Sequence, residues 1–425
     1  MNTKKNQYLF PLILITSLFF LWGIAHKFNP ILIPHLKRAC QLNDFQSSLI
    51  DSAFFIAYFL VAIPASRIMH KIGYKGGIII GLLLFASGAF LFYPAAAWRS
   101  YSFFLFALFV IASGLTFLET AANPYVNELG DPAGATTRIN FAQSFNGLAQ
   151  FVAPFLGGLF ILTGNHLSDA QMKVMPPAEL DAYLTREAST VQVPYLVIGC
   201  VVLLVAILLW RTKLPEINEA ADSDLEVQGS ILKEKNLMFS VVAQFFYVGA
   251  EVGVSSFFIR YAGYTNGIEE KAAASLLAGA LVGFMAGRFI GTFLMSYIKP
   301  HLLLAIYSVA NVALLIVAFT IGGEAGLYAL MGVQFFMSIM FPTIFSLGIR
   351  GLGNKRKQGA SLIIMAIVGG AVVPAVMAKV SDVNSGNIQL AYSVPVISFV
   401  VIFLFALSQR KLHAAAEEVN MQVAH

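Results

Sequence analysis

Residues 103–126 read FFLFALFVIASGLTFLETAANPYV, and the one charged side chain in that run is Glu119. A helix of about 20 apolar residues crosses the hydrocarbon of a bilayer, so the stretch is long enough to span one. A carboxylate near the middle of such a helix costs roughly 2.5–3.5 kcal/mol on insertion scales. Chains that carry one face it into a water-filled pathway, where it meets a proton, an ion or a polar substrate. This single residue points to transport across a membrane.

The rest of the composition agrees. Of 425 residues, 58% are hydrophobic and 12% charged, against about 25% charged in ordinary soluble domains. A mean hydropathy of +0.76 leaves too little polar surface to clothe a soluble particle, so most of the surface must face lipid. The formal charge of +5 comes from basic residues gathered at the ends of apolar runs. That distribution orients membrane helices and predicts no nucleic-acid partner. Cys40 and Cys200 lie far apart and match no metal or redox spacing. The first apolar run, from Tyr8, is too long for a cleaved signal and reads as the first membrane helix.

Cut at charged or Pro/Gly-rich breaks, the apolar windows give twelve spans, near 8–36, 47–69, 76–97, 100–128, 137–163 and 191–211, then 237–262, 270–298, 302–322, 325–350, 358–380 and 387–409. The charged stretch Thr212 to Asn236 separates the two sets. The expected organisation is a six-helix half over 1–211, a cytoplasmic linker over 212–236, and a second half with a short cytoplasmic tail over 237–425. If the N-terminus is cytoplasmic, that side also receives Arg67, Lys71, Lys75, Arg138, Arg211, Lys213 and the cluster Lys355–Arg356–Lys357. The opposite side receives far fewer, which predicts both termini inside. The long outer connection, Gly164 to Val191, holds an amphipathic stretch from Ala178 to Ala188 that reads as a surface helix.

Weak echoes relate the two sets: FFLWG at Phe19 to Gly23 against FFYVG at Phe245 to Gly249, and Gly147 with Pro154 against Gly370 with Pro374. Echoes in a six-plus-six layout fit a parallel repeat with its binding site at the midplane. The fold class expected is therefore all-α and integral to the membrane, a major facilitator fold of twelve helices.

Polar residues inside spans carry the chemistry. The first span holds His26, Lys27 and Asn29; the fourth holds Glu119, Thr120 and Asn123. In the fifth, Asn140, Gln143 and Asn146 share a face by their i, i+3, i+6 spacing. The seventh holds Gln244, Tyr247 and Glu251, the eighth Arg288, and the tenth Gln334, Ser338 and the Phe341–Pro342 break. Amides along one face donate to and accept from neighbouring hydroxyls, which suits a neutral polyol. Trp22, Phe117, Tyr247 and Phe341 offer rings to a sugar's apolar face or pack helices. Glu119 is read as the proton carrier, with an ion-pair role as the alternative. Lys27 either pairs with it or snorkels outward. Arg288 is positioned to neutralise Glu251. Arg67, His70, Lys71 and Lys75, around Gly73, look like a degraded gating loop, with His70 at its usual acidic position.

The matching stretches SLFFLWGIA (from Ser17), NDFQSSLIDSAFFIAYF (Asn43), GLTFLETAANPYV (Gly114), RINFAQSFNGLA (Arg138), YVGAEVGVSSFFIRYA (Tyr247) and FPTIFSLGIRGLG (Phe341) resemble the fucose permease family of sugar–proton symporters, which includes bacterial glucose/galactose transporters. The resemblance runs nearly end to end. It implies alternating access and uptake of a monosaccharide with a proton, in a bacterial inner membrane, by a monomer needing no cofactor beyond the coupling ion. It assigns Glu119 to protonation and sugar binding, and Gln143 and Asn146 to the polar wall. One departure matters. Relatives commonly place an aspartate in the first span where this chain has Pro30, after Asn29. Glu119 then carries the coupling, with Lys27, His26 and Glu251 as modulators. The substrate contacts expected are Asn29, Glu119, Asn123, Asn140, Gln143, Asn146, Gln244, Tyr247 and Gln334. Two other readings compete: a proton-independent sugar uniporter, and a non-transporting membrane sensor. The polar segments are too short for a signalling domain, and no nucleophile or metal spacing supports an enzyme.

Overall fold

In a computed structural model, residues 3–42, 44–129, 131–160, 171–172, 174–212, 214 and 229–423 are described. All regular structure among them is helical. The helices are α1 (Thr3–Ala39), α2 (Asp44–Ala97), α3 (Tyr101–Glu128), α4 (Ala135–Phe160), α5 (Pro177–Ser189), α6 (Gln192–Arg211), α7 (Lys235–Asn266) and α8 (Glu270–Leu294). They continue as α9 (Pro300–Thr320), α10 (Gly323–Met337), α11 (Met340–Gly348), α12 (Arg356–Met365), α13 (Gly369–Val383), α14 (Ile388–Ala391) and α15 (Ser393–Val423).

Nine stretches among the described residues are long and apolar enough to cross a membrane. The 54 residues of α2 would measure about 80 Å as a straight rod, far beyond the ~30 Å of hydrocarbon. The chain instead turns at Gly73, where φ is +72° and ψ 177°. Only glycine takes that conformation without strain, so α2 supplies two passages. With α1 and α4, of 37 and 26 residues, the helices accommodate the twelve passages expected. The two helices meet at the kink of Gly73, and just beyond it Lys75 Nζ donates to the carbonyls of Trp210 and Thr212 at 3.0 and 2.9 Å. It caps the end of α6, where a cation meets the negative end of the helix dipole.

The chain divides into two compact units, residues 1–122 with 148–216, and residues 123–147 with 217–425. In the first, α2 packs closely on α3. A Cβ added to Gly114 would meet the carbonyl oxygen of Gly81 and the nitrogen of Phe85 at 2.6 Å, so the glycine sets the approach of these helices. Phe92 stacks flat on Tyr195 at 3.7 Å and edges Phe104 at 5.5 Å, which ties α6 and α3 to α2. Arg99 pairs with Asp181 of α5 at 2.9 Å.

In the second unit, the passage Gly323–Gly348 is the most enclosed and Ala272–Leu294 the least. Tyr261 of α7 donates to the Ala318 carbonyl at 2.7 Å and meets Tyr392 edge-on. The sequence placed a break at Phe341–Pro342; it falls at Ser338–Ile339, between α10 and α11. Proline is tolerated in the first turn of a helix, so the interruption precedes Pro342. Trp98, Trp210, Tyr297 and Tyr328 are exposed near helix ends, where amphipathic rings settle at a bilayer's interface.

Candidate functional site

The first unit holds the buried acid. On α3, Ser113, Thr116 and Thr120 each donate to a carbonyl one turn back, at 2.7, 2.8 and 2.7 Å. These hydroxyls are satisfied by their own helix. A carboxylate only accepts, and every carbonyl of a helix is an acceptor too, so Glu119 needs a donor from elsewhere. Glu119 is 6% exposed, and the Tyr58 hydroxyl of α2 donates to its Oε1 at 2.7 Å. Tyr58 is itself fully buried, with its ring 5.7 Å from Phe54. The His26 ring meets Phe54 edge-on at 5.0 Å. Trp22 is buried against Phe19 at 4.1 Å, the packing role rather than an open ring. The side chains of Lys27 and Asn29 lie outside the described residues.

The second unit gathers the amides. Asn123 follows Glu119 by one turn of α3, so helix geometry puts both on one face. Its Oδ1 accepts from Gln143 Nε2 at 3.1 Å, while its Nδ2 has no partner among the described residues. Asn140 turns another way. Its Nδ2 donates to the Thr136 carbonyl and to Thr343 Oγ1, at 2.9 and 3.1 Å, which ties α4 to α11. Asn146 is half-buried. The shared face read from spacing thus splits into one amide packed between helices and one locked to Asn123.

Arg288 binds this hairpin from α8. It is 3% exposed, donating through Nε to the Ser338 carbonyl at 2.7 Å and through Nη1 to the Gln143 carbonyl at 2.8 Å. Its guanidinium lies over Phe284, 4.6 Å from the ring centre. Glu251 and Tyr247 stand within electrostatic reach of Arg288, whose Nε and Nη1 are directed at the two carbonyls. On α7, Gln244, Tyr247, Glu251 and Ser255 recur at i, i+3, i+7 and i+11, one face of a helix. Gln334 of α10 donates to Ser255 Oγ at 3.0 Å, and Tyr247 meets Phe341 edge-on. Both amide atoms of Gln244, Gln334 Oε1 and Ser338 Oγ are buried without a partner among the described residues. Native interiors rarely leave such groups unpaired, so this face has capacity for water or a polyhydroxylated ligand.

Sequence reasoning missed Tyr58, Ser255, Thr343 and the carbonyls held by Arg288. Tyr58 was visible as a tyrosine one turn after Phe54 inside an apolar span, but its partner is 61 residues away. The model of a family described as the Major Facilitator Superfamily matches residues 12–376. The chain belongs to this superfamily. It is 44% identical to the L-fucose-proton symporter of Escherichia coli (strain K12), over 95% of this chain and 94% of that protein. It is 40% identical to a glucose/galactose transporter of Brucella abortus, over 96% and 95%. The crystal structure of the E. coli fucose:proton symporter matches with a TM-score of 0.86 at 44% identity, covering 94% of this chain and 98% of that chain. A human organic anion transporter, at 14% identity and a TM-score of 0.66, shares the fold alone. The protein is a multi-pass membrane transporter with the major facilitator fold.

Proposed function

We propose that this transporter imports a monosaccharide, L-fucose or a hexose such as glucose, galactose or fructose, together with a proton, by alternating access. The observation that carries the reading is Glu119, a carboxylate buried in a membrane helix and held by a neutral hydroxyl at 2.7 Å. A carboxylate placed in a membrane span suits a group that must take and release a proton in each cycle. The names of the relatives, an L-fucose-proton symporter and a glucose/galactose transporter, support the same substrate and coupling ion. Glu119, Asn123, Gln143, Asn146, Gln244, Tyr247 and Gln334 are the sugar contacts we favour, with Asn29 beside them. Asn140 also binds α4 to α11 through its Nδ2, and its Oδ1, buried without a partner among the described residues, keeps it among the sugar contacts. His26, Lys27 and Glu251 modulate the acid.

The positive-inside asymmetry supports both termini being cytoplasmic, and the Escherichia coli relative supports a bacterial inner membrane; the organisation we propose is six helices before the 212–236 linker and six after, working as a monomer. A second reading, uniport of the sugar, rests on Pro30 standing where relatives carry an aspartate. The experiment is Glu119→Gln in proteoliposomes. Counterflow of labelled sugar persists and uphill accumulation driven by a proton gradient disappears. Full accumulation in that variant sinks the assignment; a wild type indifferent to the gradient makes the protein a uniporter.

A further inference from the structure

We infer that Tyr58 is a positioning residue for proton transfer, holding the Glu119 carboxylate and setting the pH at which it exchanges its proton. The inference rests on Glu119 being the proton carrier. Its ground is geometric. The Tyr58 hydroxyl and Glu119 Oε1 are 2.7 Å apart, and both side chains are buried. That is the range of a charge-assisted O–H···O⁻ bond, roughly twice as strong as a neutral one. The neighbouring hydroxyls of α3 are committed to their own carbonyls, so they do not substitute for it.

A tyrosine suits both states of the cycle. Its hydroxyl donates to the ionised acid and, once the acid carries the proton, accepts from it. The contact therefore survives protonation with donor and acceptor exchanged, and neither group is left unpaired in the interior. A serine or threonine on the same turn would bond to its own helix instead. The ring is fixed by Phe54, which holds the hydroxyl on its acceptor.

Other ionisable groups stand on the elements packed around the pair. From α1 come His26, across the Phe54 ring, and Lys27, whose side chain lies outside the described residues. Asp51 precedes Tyr58 by seven residues in α2, and its side chain lies outside the described residues. The second passage of α2, packed on α3 through Gly81 and Gly114, carries no charged residue from Gly76 to Ala97.

The test measures sugar counterflow and proton-driven accumulation against pH in proteoliposomes of the full chain. Tyr58→Phe keeps the ring and removes only the donor to the ionised form. Its pH midpoint for counterflow moves to more alkaline values by about 1–2 units, the worth of one hydrogen bond to a charged group. Accumulation falls several-fold, because the acid releases its proton less readily, while counterflow at acid pH stays at the wild-type rate and reports an intact fold. Replacing Tyr58 with 3-fluorotyrosine, a stronger donor of the same shape, moves the midpoint the opposite way and stands in should Tyr58→Phe fail to insert. Adding Tyr58→Phe to Glu119→Gln changes nothing further. A Tyr58→Phe profile superimposable on wild type overturns the inference, as does a double variant that loses the counterflow Glu119→Gln retains. If Glu119→Gln itself keeps the wild-type profile and accumulation, the proton-carrier reading fails first and the role of Tyr58 falls with it.

Discussion

Thr136→Cys with Ser346→Cys should convert a set of weak contacts into a lock. The hairpin from Asn123 to Gly147 packs with the second unit, and polar contacts line the junction. Thr136 and Ser346 hydroxyls are 2.8 Å apart, and Ser346 Oγ in turn donates to Asn127 Oδ1 at 2.6 Å. Thr136 must then be the donor to Ser346. Asn140 reaches Thr343 at 3.1 Å, and Arg356 pairs with Glu128 at 2.8 Å, both partly shielded. Three hydrogen bonds at about 0.5–1.5 kcal/mol each, plus a half-shielded ion pair discounted to roughly 1–2 kcal/mol, give about 3–6 kcal/mol. A contribution of that size is broken and remade when new contacts replace it. A covalent bond is not. The hydroxyl separation puts the two Cβ atoms about 4–5 Å apart at ordinary hydrogen-bond angles, close to the 3.5–4.5 Å that a disulfide takes. If alternating access requires the hairpin to leave α11, oxidation should reduce counterflow at least about tenfold, and a reductant should restore it. Each single cysteine variant should transport before and after oxidation. Complete cross-linking, verified by mass spectrometry, with undiminished counterflow would refute the reasoning: the hairpin would then stay on α11 throughout the cycle.

Two further outcomes test the second unit. Arg288→Lys keeps the charge but gives up the planar fork that serves the Gln143 and Ser338 carbonyls together. We expect a loss of about 1–3 kcal/mol, seen as a lower Tm in detergent; an unchanged Tm means the fork does not hold the hairpin. Gln244→Leu removes a fully buried amide with neither atom paired among the described residues. If sugar satisfies that amide, Kd rises about tenfold or more, at 1.4 kcal/mol per decade, while the sugar-free protein gains stability. A raised Tm with unaltered Kd takes Gln244 out of the site.

The membrane helices were legible because their signal is local: length and apolar content decide whether a segment can cross a bilayer. Glu119 was legible for the same reason, since one carboxylate in an apolar run stands out without knowledge of any partner. What escaped was set by partners distant in the chain. Tyr58 reads as one more large ring in an apolar span, and its hydroxyl acquires meaning only when α2 and α3 meet through Gly81 and Gly114. Asn140, Gln143 and Asn146 keep their helical spacing in the fold, yet Thr343 claims one and Asn123 another. Gly73 shows the converse. Basic residues around a glycine mark a connection between spans, and the structure makes that connection as short as one non-helical residue at positive φ.

These residues also separate two requirements that spacing alone merges. A proton carrier needs a partner that follows its charge state, and a sugar wall needs donors and acceptors left over after the helices have packed. Tyr58 meets the first requirement for Glu119, as a group that both donates and accepts. The second is met unevenly. Arg288 is committed to two carbonyls, while Asn123 Nδ2, Asn140 Oδ1, both amide atoms of Gln244 and Gln334 Oε1 are buried without a partner among the described residues. A sugar hydroxyl both donates and accepts, so it can satisfy an amide's nitrogen and a neighbouring oxygen at once. Discrimination among hexoses should therefore concentrate at those four residues, where a misplaced hydroxyl leaves a buried polar group unpaired at about 1–3 kcal/mol, and not at Arg288, whose hydrogen bonds are already directed to two carbonyls.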